Sequence, residues 1–251
     1  MDNIKKIDVA AHIGYDPLQE IGTSIEDLIG KMDEQQVENA VLHPMGAGFI
    51  NQFKEQNREL ASLCGKDGRF LFFSTVNPWF GQEAEEELAF TFDSLGAAGV
   101  SFHTARQGCY IDSPMIEPFV RIARERAKPV YFFTGFPVYS LPLNLAHLAV
   151  KFPDVTFIMG AMGVSDYWGD IIPSFRLAPN MYLETSVNTN VPAVLGSFID
   201  EFGDRNILFA TNYPFTDYNM EADKIARAGL NEESLYNIYF RNAAELLGIG
   251  R

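Results

Sequence analysis

Residues 99–133, with the sequence GVSFHTARQGCYIDSPMIEPFVRIARERAKPVYFF, contain one complete unit of the pattern that repeats along this chain. The two ends of the stretch, residues 99–103 and 129–133, are short runs of mostly apolar residues, which is typical of strands buried on both faces. Between them, residues 115–126 have the apolar spacing of an amphipathic helix. A strand, a helix and a second strand in this order predict two parallel strands joined by a helical crossover.

The same alternation extends in both directions from this unit. We predict eight strands, each followed by a helical segment, at residues 4–10, 39–43, 70–76, 99–103, 129–133, 156–159, 181–184 and 207–211. Eight such units in 251 residues have the size of an α/β fold of the TIM-like (β/α)8 barrel type. A doubly wound open sheet is the rival, and it is disfavoured because no G-x-G-x-x-G follows the first strand. No linker interrupts the pattern, so we expect residues 1–251 to form a single barrel domain.

The composition excludes several classes of protein. With 47% hydrophobic and 21% charged residues, the chain has the makeup of a globular protein rather than a disordered one. Its apolar runs are far shorter than the ~20 residues of a membrane-spanning helix, so we expect no membrane partner. A net charge of −14 repels phosphate backbones, so nucleic acid is not an expected partner. Two cysteines and the lack of a signal-peptide pattern lead us to expect a cytoplasmic protein.

Candidate functional residues fall at the ends of the predicted strands, where barrels of this kind place their active sites. Three of the four histidines, His12, His43 and His103, are at such ends, whereas His147 lies inside a predicted helix. Arg106 follows in the loop after His103 and could pair with a ligand carboxylate in a bidentate way. These residues predict a polar group at one end of the barrel.

Carboxyl and aromatic side chains complete this set of candidates. Asp8 and Glu184 could act as acid or base if burial raised their pKa values, or could anchor strand ends through hydrogen bonds. Residues 130–139 carry five aromatic side chains, and Trp79 and Tyr213 follow two other strands. The aromatic residues predict an apolar mouth, although part of them could instead pack helices on the outside of the barrel.

Several fragments of this sequence resemble a known family. They are, in chain order, IDVAAHIG, FHTARQG, FFTGFP, FPDVTFIMGAMG, NMYLETS, ILFATNYPF and YFRNAAELLGI. In this order and spacing, over residues 7–248, they are similar to the amidohydrolase superfamily, and more narrowly to its branch of aminocarboxymuconate-semialdehyde and resorcylate-type decarboxylases. The resemblance implies a (β/α)8 barrel that hydrolyses C–N or C–O bonds, or decarboxylates aromatic and vinylogous acids, with a divalent metal.

The sequence departs from that family at the metal ligands. Where the resemblance implies ligand histidines, this chain has Ala10, Phe133 and Ala161, and where it implies an aspartate the chain has Asn212. Only His12 remains of the set. A catalytic zinc needs about three protein ligands, and a neutral amide is a poor ligand for a transition metal. We therefore predict a degenerate metal site and no metal cofactor.

Two hypotheses on function result. The first is a barrel protein that binds a small organic acid at its mouth and is either metal-independent or catalytically inactive. The alternative is a metal-dependent hydrolase or decarboxylase, with zinc or another divalent metal at a relocated site of His12, His43 and His103. The resemblance adds a homodimer as an expected assembly. The candidate catalytic residues are His103, His12 and Asp8, and the candidate ligand-binding residues are His43, Arg106, Asn212, Tyr213, Phe133 and Trp79.

Overall fold

The computed structural model describes residues 4–250 and contains a barrel of eight parallel strands. The strands are β1 (Lys6–His12), β2 (Gly14–Asp16), β3 (Ile21–Thr23), β4 (Val37–His43), β5 (Phe70–Ser74), β6 (Gly99–Phe102), β7 (Val130–Phe133), β8 (Phe157–Gly160), β9 (Met181–Glu184) and β10 (Ile207–Leu208). All except β2 and β3 belong to the barrel, in the order β1-β4-β5-β6-β7-β8-β9-β10. The predicted (β/α)8 fold is confirmed. Residues 1–3 and 251 lie outside the described range, and the domain bounds of 1–251 stay a prediction.

Helices follow the barrel strands and cover the outside of the sheet. They are α1 (Ile25–Gln35), α2 (Phe53–Lys66), α3 (Gln82–Ser94), α4 (Thr104–Gln107), α5 (Glu117–Glu125), α6 (Pro142–Lys151), α7 (Val164–Tyr167), α8 (Ile171–Leu177), α9 (Val191–Phe202), α10 (Tyr218–Ala226), α11 (Glu232–Tyr236) and α12 (Asn242–Leu247). A π-helical turn, Asn237–Arg241, joins α11 to α12, where the sequence predicts one continuous helix. Within residues 4–250, no helix combines the length and the apolar character needed to cross a membrane.

Backbone hydrogen bonds close the barrel between its last and first strands. The amide of Val9 donates to the carbonyl of Phe209 at 3.0 Å, and the amide of Asn212 donates to the carbonyl of Ala10 at 2.7 Å. The amide of His12 donates to the carbonyl of Tyr213 at 2.8 Å. The chain after β10 therefore stays paired with β1 up to the C-terminal end of the barrel, so residues near Asn212 lie beside residues near His12.

The alternation of side chains along β7 divides the core into two layers. Tyr131 and Phe133 point into the barrel, where they contact each other with ring centroids 4.7 Å apart. Phe132 points outward and stacks on Phe102 at 5.3 Å. Because side chains in a strand alternate between faces, a single aromatic strand fills both the barrel interior and the layer between sheet and helices.

The hairpin of β2 and β3 is the main feature that the sequence pattern did not predict. It is a two-stranded antiparallel sheet inserted between β1 and α1. The turn of the hairpin, residues 17–20, is exposed, and Leu18 and Gln19 in it line the rim of the pocket at the barrel mouth. The insertion places the chain of residues 14–23 over one side of the C-terminal end of the barrel.

Candidate ligand-binding site at the mouth of the barrel

A pocket of about 470 Å³ opens at the C-terminal ends of the barrel strands. It is lined by five of the predicted site residues: His12, His103, Arg106, Asn212 and Phe133. They come from β1, the loop and helix after β6, the end of β7 and the chain after β10. Ala161, which stands at a ligand position of the family, lines the same pocket. Residues that are up to 200 positions apart therefore meet at one point, as the barrel geometry requires.

His12 is buried and bonded at both ring nitrogens. Its Nδ1 lies 2.8 Å from the carbonyl oxygen of Pro44, and its Nε2 lies 2.9 Å from Oδ1 of Asn212. A carbonyl oxygen only accepts, so in a neutral ring Nδ1 carries the hydrogen toward Pro44. Nε2 then accepts from Asn212 only if the amide group turns so that its NH2, rather than Oδ1, faces the ring. Burial lowers the pKa of His12 to about 4, so the ring is neutral at pH 7. Orientation of Nδ1 by a backbone carbonyl is also the arrangement found for metal-ligating histidines.

His43 lies below the pocket rather than in its wall. Its Nε2 donates to the carbonyl of Val9 at 2.9 Å, and its ring packs on Tyr131 with centroids 4.7 Å apart. Nδ1 is buried without a hydrogen-bond partner among the described residues. Burial, followed by the nearby His12, lowers the pKa of His43 to about 3. His43 is thus a neutral imidazole of the barrel interior.

The pKa of His43 predicts that acid destabilises the fold. In the unfolded chain His43 has an ordinary pKa of about 6.5 and binds a proton more readily than in the folded state, so its contribution is complete above about pH 6.5 and is lost as the pH falls toward 3. Between about pH 7 and about pH 4 the loss amounts to about 3 kcal/mol. We expect His43→Gln, which keeps a donor for the carbonyl of Val9, to remove this part of the acid sensitivity. Urea unfolding at a series of pH values measures it.

The control for this measurement is His147→Gln, because His147 lies on α6 with its side chain 62% exposed. We expect the pH profile of the control to match that of the parent protein. An unchanged acid limb in His43→Gln would show that this imidazole is not held neutral in the folded protein.

His103 is placed between two phenyl rings in the wall of the pocket. Its ring stacks on Phe133 with centroids 5.2 Å apart and is tilted against Phe136 at 4.8 Å. Burial, and then the charge of Arg106, lower the pKa of His103 to about 3. Within the described part of the chain, Nδ1 of His103 is buried and has no hydrogen-bond partner. This nitrogen is a polar atom that a ligand in the pocket could satisfy.

Arg106 supplies the positive charge of the pocket. Its Nη2 donates to the buried carboxylate of Asp16 in the β2–β3 hairpin. Its Nη1 is buried and has no partner among the described residues. An unpaired buried donor costs about 1–3 kcal/mol, and an acceptor from a ligand that bonded to Nη1 would remove this cost.

Asp8 and Glu184 lie inside the barrel and do not line the pocket. Asp8 accepts from the hydroxyl of Thr211 at 2.6 Å and from the amides of Ala10 and Thr211, each at 3.0 Å. Glu184 accepts from the hydroxyl of Tyr131 at 2.6 Å and from the amide of Ala161 at 2.8 Å. Burial raises the pKa of Asp8 to about 6, against the effect of these hydrogen bonds. These contacts agree with the alternative that Asp8 and Glu184 anchor strand ends through hydrogen bonds. The catalytic role of Asp8 stays a prediction, and Asp8 does not line the pocket.

Two of the predicted aromatic site residues lie away from the pocket. Trp79 is 64% exposed, and its Nε1 donates to the carbonyl of Gln107 at 2.8 Å, on the outer side of the loop after β6. Tyr213 packs against Tyr218 at 5.7 Å. Neither lines the pocket. Their position is set by loops, whose direction the alternation of a strand does not fix.

Strained backbone marks the pocket independently of its side chains. Ala161, Val187 and Asn212 have positive φ values of 58°, 68° and 52°, and all three line the pocket. Such conformations cost about 1–3 kcal/mol each and concentrate at functional sites. A valine gives no indication in the sequence of a positive φ, so the sequence analysis did not identify Val187 as part of the site. It did not identify Asp16 either.

The side chains at the family's metal position do not fit a catalytic metal. Among residues 4–250, no three or more His, Cys, Asp or Glu side chains are grouped so that they could hold an ion. Phe133 stands in the middle of the histidines, with ring centroids 5.4 Å from His12, 5.7 Å from His43 and 5.2 Å from His103. A site relocated to these histidines would require His12 to lose its contact with Asn212 and the Phe133 ring to leave the space between the three imidazoles.

A barrel with a pocket of this kind at the C-terminal ends of its strands is the architecture of a ligand-binding or catalytic (β/α)8 protein. The sequence model of the Amidohydrolase family matches residues 21–249. The chain therefore belongs to the amidohydrolase family, which confirms the resemblance.

The individual relatives have low sequence identity to this chain. The chain is 23% identical, over 302 aligned residues that cover 94% of this chain and 92% of the relative, to the gamma-resorcylate decarboxylase of Rhodococcus jostii strain RHA1. The solved 2,6-dihydroxybenzoate decarboxylase from Rhizobium has a TM-score of 0.78 at 19% identity, covering 99% and 100% of the two chains. The 5-carboxyvanillate decarboxylase from Novosphingobium aromaticivorans DSM 12444, solved with manganese, has a TM-score of 0.80 at 16% identity, covering 99% and 97%. These structures share the fold of this chain.

Proposed function

We propose that this protein binds a small aromatic acid at the mouth of the barrel, with one carboxylate oxygen on Nη1 of Arg106. The observation that carries the proposal is Nη1 of Arg106, which is buried and has no partner among the described residues, in a side chain that lines the pocket. A carboxylate is the acceptor that best compensates a guanidinium in such a place. The other nitrogen of the same fork is occupied by Asp16.

The rest of the pocket supports an aromatic ring next to that carboxylate. The phenyl rings of Phe49, Phe133, Phe136 and Phe215 all contribute to its wall. The neighbouring imidazoles of His12 and His103 have lowered pKa values and add no charge at pH 7. A planar apolar ring with one anionic group matches a pocket that has aromatic walls and one cation.

We further propose that the reaction served by this pocket is decarboxylation. The support is the relation to the gamma-resorcylate decarboxylase, which favours the alternative hypothesis, a metal-dependent hydrolase or decarboxylase at His12, His43 and His103, over a catalytically inactive barrel. The proposal takes the reaction from that alternative and leaves its metal to the experiment below. A divalent metal bound in such a pocket would act as a Lewis acid at the substrate. Because the side chains present here do not fit a metal, we derive no step through one.

In this proposal, His103 positions the water molecule that supplies the proton. The bond between the ring carbon and the carboxylate carbon breaks, carbon dioxide leaves, and the electron pair stays on the ring carbon. The ring carbon takes a proton from a water molecule that is hydrogen-bonded to Nδ1 of His103, and the hydroxide left behind combines with the carbon dioxide as bicarbonate. The lowered pKa of His103 keeps its ring neutral at pH 7, so that Nδ1 can accept a hydrogen bond from this water molecule.

Calorimetric titration with 2,6-dihydroxybenzoate tests the binding proposal. We expect the parent protein to bind and Arg106→Gln to bind about 100-fold more weakly, because a charge-assisted hydrogen bond in a buried place is lost. The matched control is Arg176→Gln, which removes a guanidinium that is ion-paired with Glu201 at the surface. Equal affinity of the parent and Arg106→Gln would contradict the proposal.

Release of carbon dioxide from the same acid tests the reaction. We expect His103→Gln to lose about 100-fold in turnover while its affinity for the acid changes little. A parent that binds the acid but releases no carbon dioxide, with or without manganese, is a binding protein. Turnover that depends on added manganese, together with stoichiometric metal in elemental analysis, would support the relocated histidine site instead.

A further inference from the structure

We propose that Asp16 is a positioning residue that acts through Arg106, and this inference rests on the proposed function of Arg106 as the carboxylate contact. Asp16 ends β2, in the hairpin after the first barrel strand, whereas Arg106 lies in α4 after β6. Ninety positions of sequence separate the two residues. Their ion pair joins the hairpin to the opposite part of the barrel mouth.

Both carboxylate oxygens of Asp16 are held. Oδ1 accepts from the amide of Leu18 at 3.0 Å, and Oδ2 accepts from Nη2 of Arg106. The side chain of Asp16 is 0% exposed and that of Arg106 is 15% exposed. Because the hairpin backbone fixes the carboxylate of Asp16, the guanidinium of Arg106 has one defined orientation. In this orientation Nη2 donates to Asp16, and Nη1 has no partner among the described residues.

The charge of Asp16 depends on this contact as well. Burial alone raises the pKa of Asp16, but the hydrogen bond from Arg106, the amide of Leu18 and the charge of Arg106 outweigh burial and lower it below its usual value. Asp16 is therefore ionised at pH 7. Without it, the guanidinium would lose its compensating charge and would gain more from turning toward water than from staying in the pocket wall.

Asp16 does not itself line the pocket, whereas its hairpin neighbours Leu18 and Gln19 do. Asp16 has no direct contact with the pocket, so it acts on a ligand through Arg106 or through the hairpin wall, and the proposal assigns the effect to Arg106. The same ion pair fixes the position of the hairpin wall.

A double-mutant cycle tests this role. The parent, Asp16→Asn, Arg106→Gln and the double variant are titrated with 2,6-dihydroxybenzoate. We expect Asp16→Asn, which has the same shape as aspartate, to bind about tenfold more weakly in the presence of Arg106 and to have no further effect in the Arg106→Gln background. Asp93→Asn is the control, because Asp93 pairs with Arg126 at the surface, and it should bind like the parent. Parent-like binding by Asp16→Asn, or the same loss in both backgrounds, would overturn the proposal.

Thermal unfolding of the same four proteins without ligand separates this inference from the proposed function. Arg106→Gln leaves a buried carboxylate uncompensated, so we expect a lower Tm that the added Asp16→Asn partly restores. Additive losses would show that the two side chains do not interact in solution, and the inference would fail whatever the ligand. Coupled stability in a parent that binds no aromatic acid would refute the proposed function, and would leave the pair a structural contact, which also overturns the positioning role.

Discussion

A variant that carries Ala10→His, Phe133→His, Ala161→His and Asn212→Asp together is expected to bind zinc with a dissociation constant of about a nanomolar. Phe133, Ala161 and Asn212 line one pocket with His12, and the amide of Asn212 is bonded to the carbonyl of Ala10. The five positions therefore converge. Three or four well-placed ligands suffice for tight binding, and Nδ1 of His12 is already oriented by a backbone carbonyl.

The control for this experiment replaces the same positions by glutamine at 10, 133 and 161 and by aspartate at 212, which gives similar polarity without the imidazoles. Zinc is measured by competition with a chromogenic chelator, and circular dichroism confirms that both variants fold. A folded variant that binds no more zinc than the glutamine control would show that these positions do not correspond to the metal ligands of the family. It would also remove the reason for predicting a degenerate metal site at this pocket.

The alternation of strand residues predicted part of this pocket from the sequence. His12 ends a strand and His103 directly follows one, so both reach the mouth, and Phe133 faces inward because Tyr131 does. His43 follows the same rule and pairs in register with His12, but its ring bonds to the carbonyl of Val9 in the layer below. The alternation along a strand predicts which face of the sheet a side chain is on. The direction in which its ring then points depends on local hydrogen bonds.

The parts of the site that depend on loops could not be read from the sequence. Asp16 lies in a hairpin inserted into the strand–helix alternation, and its partner Arg106 is ninety positions away. Trp79 follows a strand as the pattern requires, yet its loop turns the indole outward to Gln107. Long-range ion pairs and loop directions are determined by tertiary packing. The periodic patterns of strands and helices in a single sequence do not predict them.

Gly160→Ala is expected to destabilise the fold by about 4 kcal/mol, which for a protein of this size lowers Tm by about 10 °C. A Cβ at Gly160 would lie 2.2 Å from Cζ and 2.2 Å from the hydroxyl oxygen of Tyr131. The Tyr131 ring is fully buried inside the barrel, and its hydroxyl donates to Glu184 at 2.6 Å. The methyl group would displace the ring and break the hydrogen bond, which leaves a buried carboxylate oxygen with one partner fewer.

The helical Gly196 provides the matched control, because a Cβ there meets no atom within 4 Å. Gly196→Ala should be neutral or should stabilise α9 by about 0.5–1 kcal/mol, since alanine loses less backbone entropy than glycine. The cause of the Gly160 effect is tested in the Tyr131→Leu background, where the side chain no longer reaches over residue 160. We expect the cost of Gly160→Ala to disappear there, because the clash and the hydrogen bond are both already absent. An equal cost in both backgrounds would mean that the close contact with the Tyr131 ring is not the reason why residue 160 is glycine.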